Sequence, residues 1–425
     1  VNVADIEHRI VSLLGYFVLI GLAWLMSSDH KKFPWRVVWV GSGLQVILAW
    51  LILKTHAGEY FFDQVIRFFD LILSCSDRGA DFVFGESVAP SPEFPTGRRV
   101  MGIFAFRVLP PIIFVSALAT VLYYLGIMQW VVKGFAILMQ QLMGLSGAES
   151  LSASANIFMG QTEAPLLVKP FIEGMTNSEL FAVMVGGFAN ISVSLIAVYS
   201  GMGINPAHLL TSSVISAPAS LLLAKIIIPE TQIPATLGRV DMQTPKIGVN
   251  VIEAAAIGAA DGLKLALNVG AMLIAFVALI WLVDGAVNQF GLLFDRNNDW
   301  HLQQILGYLF IPLAWLIGVP ANDCPKAGEL LGIKLVATEF IAYQELGDWM
   351  KEDSDVHLTK RTQMLMTYAL CGFSNFASIG IQIAGLGGMA PDRQSDIARL
   401  GLRAMIAGML ATCMTACVAG VLRSS

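Results

Sequence analysis

Apolar and polar positions in this chain alternate on the scale of whole membrane crossings. Eight predominantly apolar runs, most of about 18 residues or more, lie at roughly 9–26, 37–53, 101–126, 180–200, 208–228, 264–289, 362–386 and 399–421. Each predicts a bilayer-spanning helix. Two further apolar regions, about 145–175 and 304–345, are interrupted by Gly, Pro and charged residues. Read as re-entrant hairpins, they leave an all-α integral membrane protein of about eight transmembrane helices. Between the second and third runs, "YFFDQVIRFFDLIL" keeps its apolar residues on one side and Asp63, Arg67 and Asp70 on the other. That pattern, within an amphipathic and then Pro- and Ser-rich stretch at 58–97, fits a helix lying in the membrane interface or a loop helix packed on protein.

The two interrupted regions echo each other. "TEAP" at 162–165 has a counterpart in "TEFI" at 338–341. Downstream of the first comes "GGFANISVSLIAVYSGMGINP", and downstream of the second "CGFSNFASIGIQIAGLGGMAP". Both carry Gly-Phe-x-Asn, then serine, then Gly-x-Gly, then proline. Each unit therefore reads hairpin–helix–helix, and the single span at 264–289 between them makes the repeat inverted. Corresponding interrupted apolar segments in two halves are the best pointer in a sequence to a transporter's binding site.

Polar groups inside these segments need a reason. Non-helical backbone survives at membrane depth only where it is buried in protein or lines a wet cavity. Gly160 and Pro165 frame one such break, and Gly372, Gly380 and Gly385 permit others. An ionisable residue at mid-membrane costs ~2.5–3.5 kcal/mol on insertion scales, so it faces a partner or a pathway. The candidates are Gln161, Thr162, Glu163 and Glu339 on the hairpins, and Asn190, Asn375 and Ser378 on the unwound helices. The bland readings are hairpin-bracing hydrogen bonds for the glutamates and satisfied broken-helix backbone for the asparagines. Phe188 and Phe373 are core aromatics by default; only the repeat raises Phe373.

Composition narrows the classes. Apolar residue types make up 56% and charged residues 13%, with a mean hydropathy of +0.69. Net charge is −5 and basic residues are scattered, so no nucleic-acid partner is expected. Five cysteines at no metal-ligand spacing give no disulfide framework, and Cys371, Cys413 and Cys417 read as packing residues. The first run lacks a basic flank and cleavage site, which predicts a retained helix rather than a signal peptide. "HKKFPWR" marks the first inter-helix loop as cytoplasmic and the acidic "QELGDWMKEDSDVH" fits the opposite side. With eight spans both termini then face outward, periplasmic for a protein of the inner membrane.

A site of Gln, Thr, two Glu, two Asn and Ser, with no Arg cluster, disfavours an anionic cargo. It suits a neutral or cationic polar solute with hydroxyls. An intramembrane enzyme using the paired carboxylates is the competing class, but no nucleophile with a base is visible, so no enzyme is expected. A channel fits less well, because two hairpins converging on polar residues point to occlusion.

At these residues the sequence resembles the concentrative nucleoside transporters. The resemblance rests on "FAFRVLPPIIFVSAL", "GQTEAPLLVKPF", "GGFAN…GMG", "ATEFIAYQEL" and "GFSNFASIGIQIAGLG", from about residue 100 to the C-terminus. It implies a homotrimer in the lipid bilayer, with a static scaffold and a transport domain that moves like an elevator. It divides the chain into scaffold helices and an interfacial helix (1–100), a scaffold span with a connecting interfacial helix (101–144), the first repeat (145–228), a connector with a long scaffold helix (229–303) and the second repeat (304–425). It places Gln161, Thr162 and Glu163 at the nucleobase, Leu195 and Phe373 against the base, and Glu339, Asn375 and Ser378 at the ribose. No cofactor is implied, only sodium as coupling ion, held by the side chains of Asn156 and Asn190 and the backbone carbonyls of Met159 and Ile191. The chain departs from the family pattern at Asn190, usually a small hydroxyl residue, and in the "ISVS" that follows. That departure keeps a proton-coupled nucleoside carrier as the alternative, beside an ion-coupled carrier of another neutral solute. Arg107 receives no role.

Overall fold

The computed structural model describes residues 3–85, 104–240, 248–291, 302–351 and 354–423. Helices satisfy every backbone polar group within one segment, which lipid demands, and the described residues are helical apart from short connections. In chain order, α1 (Val3–Leu25), α2 (Trp35–Lys54) and α3 (His56–Phe84) precede α4 (Phe104–Tyr124) and α5 (Ile127–Met143). The first repeat follows as α6 (Gly147–Ala155), a 3₁₀ turn at Ala164–Val168, α7 (Lys169–Ile172), α8 (Asn177–Ala189), α9 (Val193–Gly201) and α10 (Pro206–Ile227). Then come α11 (Val251–Gly291) and α12 (Leu302–Ile317). The second repeat holds α13 (Cys324–Val336), α14 (Glu339–Trp349), α15 (Lys360–Ala369), α16 (Phe376–Met389) and α17 (Gln394–Leu422).

All eight apolar runs fall on helices. Among the described residues five segments are long and apolar enough by themselves to cross a bilayer, and α4 meets α5 at a bend of 76°. The spans divide by burial. Only 28% of the apolar window of α1 or α2 is buried, against 94% for α8–α9 and for α10. The core is therefore α8, α10 and α17 packed on one another, while α1 and α2 turn Trp24, Trp39 and Trp50 outward. Their outward apolar faces are what a lipid solvent calls for.

A second packing unit pairs α11 with α4. Gly258 and Gly262, four residues apart, let the two backbones approach. A Cβ on Gly258 would lie 2.5 Å from Thr120 Oγ1, and one on Gly262 would lie 2.8 Å from Ile113 Cα. This is small-residue helix packing of the membrane kind. Helix α3 buries Val65, Phe69 and Ile72 against its neighbours and exposes Tyr60, Leu71 and Phe82, so it packs on protein and keeps an apolar outer face. The Pro- and Ser-rich part of that stretch, from 86 on, lies outside the described residues.

Capping chemistry starts the repeats. Ser146 with Glu149, and Thr176 with Glu179, form capping boxes at the first turns of α6 and α8, each satisfying two orphan amides. The first broken region turns between Asn156 and Glu163. The second, expected as one hairpin over 304–345, resolves into three helices, and the hairpin proper is α13–α14, turning at Ala337–Thr338. Helix α12 is a separate element packed along α13; Gly318, with φ 96°, and Pro320 divide the two. Both predicted unwound helices are broken, α8 from α9 at Asn190–Ser192 and α15 from α16 at Leu370–Asn375. Gly372 lies in the second break, but Gly380 and Gly385 lie inside α16, where a helix tolerates glycine at modest cost.

Candidate functional site

The two hairpin turns and the two helix breaks meet around one cavity of about 520 Å³, within the ~300–1,000 Å³ range of small-molecule sites. The first turn contributes Gly160, Gln161, Thr162 and Glu163, and the first break Ser192 and Leu195. The second turn contributes Thr338, Glu339 and Phe340, and the second break Phe373, Asn375, Ser378 and Ile381. All eight residues expected from the sequence at a solute site line it. The remaining wall is α11, through Leu265, Asn268, Val269 and Ala271.

Glu339 is the most firmly held group. It opens α14 behind the cap Thr338 and is 4% exposed. Its Oε1 accepts from the Tyr199 hydroxyl at 3.2 Å and its Oε2 from Asn375 Nδ2 at 2.9 Å. Asn375 is itself fixed, because it caps α16 and its Oδ1 accepts from Ser378 N at 2.8 Å. Tyr199 lies 4.4 Å from the Tyr343 ring, and the Tyr343 hydroxyl donates to Thr367 O at 2.7 Å. The carboxylate is thus held on a rigid mount at the cavity wall.

The first turn is held more lightly. Gly160 N donates to Glu163 Oε2 at 3.2 Å, and the Glu163 side chain is otherwise open to the cavity. Gln382, on α16, donates through Nε2 to Gln161 Oε1 at 3.3 Å and to Met184 O at 3.0 Å. That contact needs a residue without a side chain at 187, since a Cβ there would stand 2.7 Å from Gln382 Nε2. With Gln161 Oε1 engaged, its amide nitrogen is the part left to donate to a cargo.

Behind the cavity sit the other four expected residues. Asn156 and Asn190 are each 1% exposed. Asn156 Nδ2 donates to Ser152 O at 3.0 Å and Asn190 Nδ2 to Gly186 O at 3.1 Å. A carbonyl can only be faced by the donating end of an amide, so both Oδ1 atoms point away. Both are buried without a donor. They belong to one locus, because a Cβ on Gly186 would meet Asn156 Nδ2 at 3.2 Å. Phe158 O accepts from Val193 N at 3.1 Å, which ties the turn bearing Met159 to the break bearing Ile191. Two orphaned carbonyl oxygens are costly unless something positive meets them. Neutral oxygen donors suit a hard monovalent cation, and among the described residues no three His, Cys, Asp or Glu side chains gather as a transition-metal site would need.

Sequence reasoning missed Tyr199, Gln382 and Asn268. The amides of Gln382 and Asn268 are polar interruptions of apolar runs and were visible as such; Tyr199 carries no such signal. The side chain of Arg107 lies outside the described residues.

Residues 14–87 and 208–420 match the N- and C-terminal parts of the family described as Na+ dependent nucleoside transporter, and 105–205 match a nucleoside recognition ("Gate") family. An uncharacterised transporter of Haemophilus influenzae is 47% identical over 411 residues, covering 96% of this chain and 97% of that protein. The mouse sodium/nucleoside cotransporter 1 is 40% identical over 432 residues, covering 99% of this chain but 65% of that longer protein. The structure of CNTnw in an inward-facing substrate-bound state superposes with a TM-score of 0.89 at 43% identity, over 97% of this chain and 98% of that one. An outward-facing CNTnw variant gives 0.91 at 42% identity, over 98% of each. The chain belongs to the concentrative nucleoside transporter family, a family of multi-pass membrane transporters rather than enzymes.

Proposed function

We propose that this chain is a secondary active symporter that moves uridine-like nucleosides into the cell, driven by sodium. The observation that carries the reading is the two-sided cavity beside a pair of orphaned asparagine oxygens. Glu339, Asn375 and Ser378 take the ribose, because a carboxylate accepts strongly from sugar hydroxyls. Gln161, Thr162 and Glu163 take the base edge, where an amide nitrogen can donate to a carbonyl of the ring. Leu195 and Phe373 supply the apolar contact for the ring face. Among the described residues neither Lys nor Arg lines the cavity, which accords with a neutral cargo.

Sodium occupies the space between Asn156 and Asn190, with the Met159 and Ile191 carbonyls as further ligands. The family's sodium dependence supports this coupling. A tenfold sodium gradient and 100 mV together supply about 3.7 kcal/mol per ion, enough for about 500-fold accumulation. The hairpins and broken helices move as a body against the α4–α11 pair, an elevator displacement. The fold match to CNTnw in inward-facing, outward-facing and intermediate states supports it. The assembly is a homotrimer in the cell's inner membrane with both termini on the outer side. The second reading is proton coupling, favoured by Asn190 replacing the usual hydroxyl residue and by the lightly held Glu163.

Competition in proteoliposomes tests the cargo. Labelled uridine uptake is expected to be blocked by other nucleosides and not by uracil or ribose, since each half forfeits the other's contacts. Equal inhibition by uracil and uridine contradicts the division of the site.

A further inference from the structure

Lys334, in the last turn of α13, is 0% exposed. Its ammonium donates to Ala369 O at 2.8 Å and to Thr412 Oγ1 at 3.0 Å. Thr412 Oγ1 donates onward to Met409 O at 3.0 Å, so toward Lys334 it can only accept. Ala369 is the last residue of α15, which puts the positive charge at the negative end of a half-helix, where the second break begins. The Glu339 carboxylate acts on it through space.

The first repeat builds the corresponding corner from the corresponding elements. There the end of the first hairpin arm, Asn156, approaches Gly186 in the last turn of α8. The third helix again supplies a hydroxyl, Ser216 of α10, which donates to Ala189 O, the last residue of α8, at 2.8 Å. Among the described residues no ammonium reaches this corner; instead Asn156 Oδ1 and Asn190 Oδ1 are buried without donors. Ends of broken half-helices are places where coupling cations bind.

We infer that Lys334 is a tethered cation: its ammonium permanently fills, in the second repeat, the place that a mobile coupling ion fills in the first. The second break then takes no ion of its own, and Glu339 keeps a fixed positive neighbour through every cycle. Glu163 and Glu339 bring two negative charges to the cavity; Lys334 offsets one at all times and the mobile ion offsets the other.

The inference rests on the reading of the cavity as a nucleoside site, so wild-type uridine binding in sodium is measured first by calorimetry on the purified chain. Absence of that binding overturns both; with it present, the variants below decide the inference alone. Lys334→Met, similar in volume and uncharged, is expected to bind uridine at least about tenfold more weakly, the loss of a charged hydrogen-bonding group. Lys334→Arg is expected to retain binding with the wild-type dependence on sodium. In Lys334→Ala the vacated corner admits a free cation. Its binding is expected to recover with raised sodium or added methylammonium, and the Hill coefficient for sodium to rise from about 1 toward about 2. Wild-type affinity and sodium dependence in Lys334→Met overturn the proposal. So does a monodisperse Lys334→Ala that stays weak whatever cation is added. If Lys334→Ala is too unstable for calorimetry, its thermal unfolding decides: greater protection by methylammonium over choline than wild type shows supports the tethered cation, and equal protection overturns it.

Discussion

The two Gly-Phe-x-Asn breaks hold their asparagines in nearly the same backbone conformation, φ −130°, ψ 164° at Asn190 and φ −137°, ψ 163° at Asn375. Their side chains do opposite things. Helix α16 restarts immediately after Asn375, so the amide of Ser378 is in place for Oδ1 to cap, and Nδ2 is left to hold Glu339. Helix α9 restarts only at Val193. Asn190 therefore has no first-turn amide to cap; its nitrogen turns back to Gly186 O and its oxygen is orphaned. A difference of two residues in where the helix resumes makes one asparagine a brace for a carboxylate and leaves the other's oxygen without a donor. Internal symmetry of sequence has become a difference in side-chain role, which the proposed function assigns to cargo on one side and ion on the other.

That contrast can be broken at its strongest point first. Glu339→Gln removes a charged acceptor with two donors aimed at it, and uridine binding is expected to weaken by about 10- to 100-fold, following ~1.5–3 kcal/mol for charged hydrogen bonds. Calorimetry on the folded variant checks it, and near-normal affinity returns Glu339 to the role of a hairpin brace. Asn190→Leu and Asn156→Leu address the other side. Each is expected to raise the sodium needed for half-maximal uptake by about tenfold, the value of one lost ion contact at ~1.4 kcal/mol, with uridine affinity at saturating sodium little changed. A fall in uridine affinity with unchanged sodium dependence would move these asparagines to the cargo side.

Smaller effects sharpen the comparison. Tyr199→Phe leaves Glu339 with Asn375 as its side-chain donor. Because Tyr199 positions the carboxylate and does not line the cavity, an about fivefold loss of affinity is expected, below the ~1.5–3 kcal/mol of a charged hydrogen bond made directly to the cargo. Gln382→Leu frees Gln161 Oε1, and a loss of about two- to threefold at the weak end of the same range is expected. An effect of Gln382→Leu larger than that of Glu339→Gln would invert the assignment of the two sides.

Much of this was legible in the sequence. The apolar runs fell on helices because lipid leaves few alternatives for a long apolar segment. The paired Thr-Glu and Gly-Phe-x-Asn motifs located both turns and both breaks, since a polar triplet at membrane depth must serve a cavity. What sequence could not supply were contacts made across the fold. Tyr199 reaches Glu339 across 140 positions and Gln382 reaches Gln161 across 221, and nothing local announces either. Gly380 and Gly385 permit breaks by sequence, but they sit within α16, where glycine need not interrupt the helix. The limits of the second hairpin were also hidden, because α12 and α13 are both largely apolar and only a short connection, 318–323, separates them.

The central claim is that the donorless oxygens of Asn156 and Asn190 hold the sodium ion that drives nucleoside uptake. It is tested most directly by wild-type uridine uptake into proteoliposomes, comparing an imposed sodium gradient at equal pH with an imposed proton gradient in sodium-free medium. Concentrative uptake is expected with sodium and none with protons alone. Uptake that ignores sodium and follows the proton gradient contradicts the claim and transfers the coupling role to Glu163 or Glu339.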